Sequence, residues 1–168
     1  MTHRLVTSTI DDGVGELRLT HARKRNAVGP EMVAQAFEAM DGFARAGVQV
    51  AVLSADAPVF CAGNDLDELG TLTSIADFSV TRLVQALLER PIFWVAAVDG
   101  PALGGGMALV AACPMVVVSD RASFALPELN VGLFPAGVRQ YLEVVMGARA
   151  ALDAGVTGRR IEAPEAVQ

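Results

Sequence analysis

Metal-binding side chains are scarce in this chain. It has two cysteines and two histidines among 168 residues, and the histidines lie far from both cysteines in the sequence. A zinc site takes about four such ligands at close spacing, so we predict no metal site. Cys61 and Cys113 stand among apolar residues, which indicates buried free thiols of the kind found in a reducing cytosol.

Aromatic and basic residues are also few. Aromatics make up 5% of the chain and hydrophobic residues 52%, which predicts one well-filled domain over residues 1–168 with a core of Ala, Val and Leu. Thirteen basic residues against 19 acidic ones give a net charge of −6. An acidic chain repels phosphate backbones, so we predict no nucleic-acid partner. The basic side chains concentrate locally, in HARKRNA at 21–27.

Long apolar segments suited to export or membrane insertion are lacking. The opening MTHRLVTSTI has no apolar run of signal-peptide length, which predicts a cytoplasmic location. Residues 100–119 are uncharged and long enough to cross a bilayer. They contain two prolines and three consecutive glycines, and no basic residue anchors them. We therefore predict a buried strand–turn–helix–strand passage and no membrane partner.

Hydrophobic periodicity predicts an α/β fold, because strands alternate with helices. Pro30 opens a helix that Gly47 ends. The elements recur in the order strand, strand, helix, and then strand, short helix, strand. We predict strands at 14–19, 48–54, 92–98 and 115–119, short extended pieces at 59–63 and 123–127, helices at 75–89, 105–112 and over most of 137–168, and a loop at 99–104.

Four stretches could carry chemistry. The glycines at 104–106 precede a helix, where exposed backbone N–H groups could hold an anion or where helix and strand simply pack closely. FCAGND at 60–65 is a second glycine turn, and two such turns could form an oxyanion hole. Glu128 follows a proline among apolar residues, which suits either a general base or a first-turn glutamate. RKRN at 23–26 is either a phosphate site or a solvated basic turn.

In this order and spacing, the segments resemble the crotonase (enoyl-CoA hydratase/isomerase) superfamily. The resemblance runs from about residue 5 to 168 and rests on HARKRNAVGPEM, VAVLSADAPVFCAGNDLDEL, VAAVDGPALGGGMALVAAC, FALPELNVGLFP and ALDAGVTGRRIEAPEA. A nucleotide-binding Rossmann domain is disfavoured, because the acidic residue expected after its second strand is missing. The resemblance implies a spiral of ββα turns that binds acyl-CoA thioesters.

The resemblance also implies roles for particular residues. The N–H groups of Asn64 and Gly105 would form the oxyanion hole, and Glu128 would be the catalytic acid/base. The acyl-CoA substrate brings its own coenzyme A, so no further cofactor is implied. The remaining acyl-CoA-binding positions would be Arg25, Ala27, Ala62, Gly63, Asp65, Leu66, Gly104, Pro127 and Leu133.

One departure from the family pattern bears on the reaction. Hydratases of the family carry a second glutamate at the position of Ala108, and losing one of a paired acid and base costs roughly 10²–10⁴ in rate. A lone glutamate suits a Δ3,Δ2-enoyl-CoA isomerase, which we rank first. The alternatives are a weak hydratase, a decarboxylase, a thioester hydrolase, or a non-catalytic acyl-CoA-binding or assembly module.

Two further departures concern the second half. LFPAGVRQYL at 133–142 lacks the longer glycine stretch of the hydratases. Family members also continue for about one more helical subdomain, which covers the acyl pocket and helps to build trimers. We therefore expect a core truncated before that subdomain, exposed apolar surface, and a homo-oligomer, a trimer or hexamer, when that region is present.

Overall fold

Side chains along β-strands alternate between buried and exposed, which indicates a sheet with one buried face. In a computed structural model that describes residues 4–56, 58–68 and 78–168, Leu17 and Leu19 point into the core, whereas Arg18 between them is exposed. This period of two is the mark of a strand with one buried face. The strands are β1 (Val6–Asp11), β2 (Val14–Leu19), β3 (Val50–Ala55), β4 (Phe93–Val98), β5 (Pro101–Leu103), β6 (Met115–Val118), β7 (Ser123–Ala125) and β8 (Ile161–Glu162).

Six α-helices accompany these strands in the described residues. The first, α1, begins at Pro30, whose fixed φ suits the first helical position, and the chain passes Gly47 at φ +73° shortly after the helix ends. The helices are α1 (Pro30–Arg45), α2 (Ser79–Glu89), α3 (Gly105–Ala111), α4 (Ala136–Met146), α5 (Ala148–Thr157) and α6 (Ala163–Ala166). Single 3₁₀ turns lie at Ala22–Lys24, Leu66–Glu68 and Pro127–Val131.

Two sheets form from the strands. The first has the order β1-β2-β3-β4-β6, with β1 antiparallel to β2 and the other neighbours parallel. The second has the order β5-β7-β8, with β5 and β7 parallel and β8 antiparallel to β7. The chain runs from β4 through β5 to α3, and then from β6 through β7 to α4. This repeated strand–strand–helix unit confirms the predicted spiral of ββα turns.

Several predicted elements differ in detail. Strand β1 was not predicted, and the expected loop at 99–104 contains β5. The apolar run at 59–63 is no strand: Cys61 forms one isolated bridge to Ala102. Helix α2 begins at Ser79, and residues 75–77 of the predicted helix lie outside the described residues. The stretch expected to be helical after 137 includes the short strand β8.

The core lies between the first sheet and the helices. Helix α1 buries one stripe of side chains and packs on β1 and β2. Trp94 of β4 is fully buried, and its ring centroid lies 6.3 Å from that of Phe43. Successive helices α1, α2, α3, α4 and α5 each contact the next. This layer sets the first turns of α2 and α3 side by side.

The uncharged run at 100–119 folds as β5, α3 and β6. Helix α3 is buried as predicted, whereas residues 115–117 of β6 are exposed, which corrects the expectation of a wholly buried passage. None of the helices in the described ranges has both the length and the apolar character needed to span a membrane. Cys61 and Cys113 are buried and form no disulfide, which confirms the prediction of buried free thiols. The predicted exposed apolar surface is present on α4 and α5, where Val144 is 84% exposed.

Candidate active site

Two glycine turns meet at the start of α3. Gly63 has a φ of +94°, and a Cβ built on it would stand 3.0 Å from the backbone nitrogen of Gly105 and 3.1 Å from the carbonyl oxygen of Leu103. Only a residue without a side chain allows this approach. The FCAGND turn and the glycine triplet, which are distant in the sequence, are therefore in direct contact.

Each turn contributes a backbone N–H group with no acceptor of its own. Gly105 opens α3, and the first N–H groups of a helix have no intrahelical partner. Around Asn64, Val28 donates to the Gly63 carbonyl and Asp65 donates to the Val28 carbonyl, so the Asn64 N–H faces away from Val28. Across the described ranges, no protein acceptor takes either hydrogen.

Glu128 lies against the glycine triplet. It sits in the 3₁₀ turn after Pro127, and its Oε1 atom is 2.8 Å from where a Cβ of Gly104 would be. Its Oε2 atom is buried, and in the described part of the chain nothing donates a hydrogen bond to it. Burial raises the pKa of Glu128, and the hydrogen bond from its own backbone N–H only partly opposes this shift. Such a carboxylate is a stronger base than an exposed one.

These groups line one cavity of about 590 Å³. All twelve residues that the sequence singled out lie on its wall: Arg25, Ala27, Ala62, Gly63, Asn64, Asp65, Leu66, Gly104, Gly105, Pro127, Glu128 and Leu133. Their individual roles stay predictions. The wall also includes Arg23 and Lys24 of the RKRN turn. Four further wall residues were not singled out by the sequence, namely Asp67, Leu103, Asn130 and Val131.

A larger groove, of about 690 Å³, lies between β1 and α1. It contains none of the predicted residues. Part of its polar lining is already engaged, because Gln35 Oε1 accepts hydrogen bonds from the backbone N–H groups of Leu5 and Val6 at 2.7 and 3.1 Å. We place the candidate site in the smaller cavity, where residues with unpartnered N–H groups and a partly buried carboxylate line the same space.

The charge of Lys24 is already paired with two carboxylates, so this side chain is less available to a phosphate than the sequence suggested. Its Nζ atom lies 2.6 Å from Asp65 Oδ2 and 2.7 Å from Asp67 Oδ2. Burial alone would raise the pKa of Asp65, but the hydrogen bonds from Lys24 and from the Asp67 N–H outweigh it and lower that pKa. Arg23 and Arg25 are exposed beside this cluster and form no ion pair with any described residue, so they are the cations available to an anionic ligand.

The thiol of Cys61 is structural and does not face a ligand. Its Sγ atom donates to the Asn26 carbonyl oxygen at 3.2 Å and accepts from the Gly63 N–H at 3.4 Å. Burial raises the pKa of this thiol to about 12, so it stays protonated and unreactive. The described residues contain no group of three or more His, Cys, Asp or Glu side chains arranged to hold a metal ion.

Comparison with known proteins shows which family the chain belongs to. The sequence profile of the family described as "Enoyl-CoA hydratase/isomerase" matches residues 9–168. The chain belongs to this enoyl-CoA hydratase/isomerase family. Among similar family members, a putative enoyl-CoA hydratase of Thermus thermophilus is 35% identical over 156 residues, which are 88% of this chain and 62% of that protein.

Other relatives carry different names. The 4-chlorobenzoyl coenzyme A dehalogenase-2 of an Arthrobacter species is 32% identical over 169 residues, or 94% of this chain and 60% of that protein. The crystal structure of human enoyl Coenzyme A hydratase domain-containing protein 3 superposes with a TM-score of 0.88 at 31% identity, covering 98% of this chain and 67% of that one. This confirms the crotonase fold. The chain spans about 60% of the length of the curated relatives that it matches.

Position 108, where the resemblance to the hydratases implies a second glutamate, is occupied by Ala108. Ala108 is 1% exposed, on the second turn of α3. The acids on the described cavity wall are Asp65, Asp67 and Glu128, and Lys24 pairs with the first two. Glu128 is thus the one unpaired carboxylate on the part of the wall that the structure describes.

Proposed function

We propose that this chain carries the active site of an acyl-CoA enzyme that isomerises a 3-enoyl-CoA to a 2-enoyl-CoA. One observation carries the proposal. Among the described residues of the cavity wall, Glu128 is the single carboxylate without an ionic partner. It lies against Gly104 and lines the same cavity as Asn64 and Gly105. One carboxylate is enough to move a proton between two carbons, whereas ordinary hydration in this family uses two.

The proton transfer needs no group beyond Glu128 and the substrate. The carboxylate takes a proton from C2 of the 3-enoyl-CoA, and the electrons of that C–H bond form a dienolate with its charge on the thioester oxygen. Glu128, now protonated, returns the proton at C4. The double bond then lies between C2 and C3, and neither water nor a redox group has been used. The raised pKa of Glu128 favours the first step, because it makes the carboxylate a better proton acceptor.

The dienolate would be stabilised by the N–H groups of Asn64 and Gly105. Both donors are fixed by the backbone, so they need no reorganisation when charge develops on the oxygen. Removing one such donor in a comparable site lowers kcat by about 10²–10³. Arg23 and Arg25, exposed at the cavity, would attract the phosphates of coenzyme A.

The test measures both reactions with purified full protein. We expect conversion of 3-enoyl-CoA to 2-enoyl-CoA to exceed the addition of water to 2-enoyl-CoA. Glu128→Gln keeps the size of the side chain but removes the base, and it should lower kcat by roughly 10²–10⁴. Glu89→Gln, at an exposed position at the end of α2, is the matched control and should keep wild-type kcat.

Two outcomes would replace the proposal. Faster hydration than isomerisation would assign the chain to a hydratase, which is the name that several relatives carry. Acyl-CoA-dependent thermal stabilisation without turnover of any enoyl-CoA would assign it to a non-catalytic binding module. Equal turnover by wild type and Glu128→Gln would exclude Glu128 as the base.

A further inference from the structure

The backbone N–H of Asn64 is a proposed oxyanion donor, whereas its side chain binds a different part of the chain. Its Oδ1 atom accepts a hydrogen bond of 3.0 Å from the backbone N–H of Val80. Val80 is the second residue of α2, and first-turn N–H groups of a helix lack intrahelical partners. The residue before the helix, Phe78, provides no side-chain cap. Asn64 therefore caps α2 from another part of the chain.

Val80 also contacts Gly105, whose N–H is the second proposed oxyanion donor. Its side chain is 3% exposed, and both of its γ carbons lie 2.9 Å from where a Cβ of Gly105 would be. The first turn of α2 thus rests directly on the Gly105 Cα. Gly63, next to Asn64, approaches the nitrogen of the same Gly105. Asn64 contacts Val80, Val80 contacts Gly105, and Gly63 links Gly105 back to Asn64, so these contacts surround the two proposed oxyanion donors.

We propose that the carboxamide of Asn64 is a positioning group that sets the spacing of the two donors by holding Val80 against Gly105. The inference rests on the proposed function, because it assigns the side chain of a residue whose N–H would bind the thioester oxygen. The carboxamide does not touch the substrate. It acts through α2, so its removal should affect stabilisation of the dienolate more than binding of the thioester.

The first arm of the test needs no substrate. Hydrogen exchange of the Val80 amide reports whether its hydrogen bond is closed. Asn64→Leu keeps the size of the side chain without an acceptor, and exchange at Val80 should become at least tenfold faster. Asn64→Asp keeps an acceptor oxygen at the helix start and should keep the protection. Unchanged exchange in Asn64→Leu would overturn the inference.

The second arm separates positioning from general stability. In Asn64→Ala and Asn64→Leu the backbone N–H remains, and we expect kcat to fall at least tenfold while KM changes less than threefold. Gln85→Gly, at an exposed position in the middle of α2, weakens the helix without touching the Asn64–Val80 contact, and it should keep kcat within twofold. An equal loss of kcat in Gln85→Gly would show that helix stability alone matters and would overturn the inference.

The two proposals fail in distinguishable ways. An active wild-type protein whose kcat is unchanged in Asn64→Ala, despite faster exchange at Val80, would overturn the positioning role and leave the proposed function intact. A wild-type protein that turns over no enoyl-CoA would overturn both.

Discussion

Replacing Gly104 with alanine should displace the carboxylate of Glu128, the proposed base, without removing any proposed catalytic group. The new Cβ would stand 2.8 Å from Glu128 Oε1, whereas an ordinary contact begins near 3.4 Å. The carboxylate must therefore retreat by about 0.6 Å. Because a displacement of about 1 Å can cost 10²-fold in rate, we expect kcat for isomerisation to fall by roughly 10–100-fold.

A backbone cost accompanies this displacement and needs its own control. Gly104 has φ 53° and ψ −123°, and Gly147 has φ 81° and ψ 155°. Both conformations are unfavourable for alanine, at about 1–3 kcal/mol. A Cβ on Gly147 would meet no atom within 4 Å. Gly147→Ala therefore matches the backbone strain of Gly104→Ala without a contact to Glu128.

Urea denaturation gives the free energy of unfolding of both variants, and steady-state kinetics with a 3-enoyl-CoA gives kcat and KM. Both variants should lose stability by the same order, and only Gly104→Ala should lose kcat. If Gly104→Ala turns over within threefold of Gly147→Ala at matched stability, the position of the Glu128 carboxylate does not limit the reaction. That result would refute the reasoning.

The remaining predictions concern pH, a crowded glycine and the thiols. Because burial raises the pKa of Glu128, kcat/KM should rise with pH through an apparent pKa above 4.5, and Glu128→Gln should abolish this rise. The folded protein binds that proton more tightly than the unfolded chain, so stability falls as pH rises through the raised pKa. Urea denaturation should therefore find Glu128→Gln more stable than wild type at pH 7, with a smaller difference near pH 4. Gly106→Ala should greatly reduce the yield of folded protein in circular dichroism, since its Cβ would lie 2.5 Å from the Cys61 carbonyl oxygen. Burial raises the pKa of the Cys61 and Cys113 thiols to about 12, so mass spectrometry should find both unalkylated by iodoacetamide at pH 8 until urea is added.

The sequence predicted the elements whose signal is local. Helix α1 carries an opening proline and a regular apolar stripe, and β3 and β4 are continuous apolar runs. Strand β1 was missed because TSTID has no apolar alternation, although Asp12 and Gly13 mark the hairpin turn that joins it to β2. Strand β5 has three residues and is defined by its pairing with β7, which begins 20 residues after the end of β5.

In the candidate site, too, features with a local sequence signal were predicted and contacts between distant segments were not. Gly63, Gly105 and Glu128 were recognisable because each stands in a short characteristic motif. The pairing of Lys24 with Asp65 spans 41 residues, and the contact of Val80 with Gly105 depends on how two helices pack. Neither contact can be predicted from residue spacing, because each forms only when distant segments come together in the fold.

The cavity wall has a consequence for folding. Its residues come from four segments between Arg23 and Leu133, and these segments are joined to a sheet in which β2 pairs with β3 and β3 with β4 in parallel. Such non-local pairing is slow compared with helix formation. The binding site therefore exists only in the native state, so an acyl-CoA at a hundredfold excess over its Kd would raise the free energy of unfolding by about 2.7 kcal/mol.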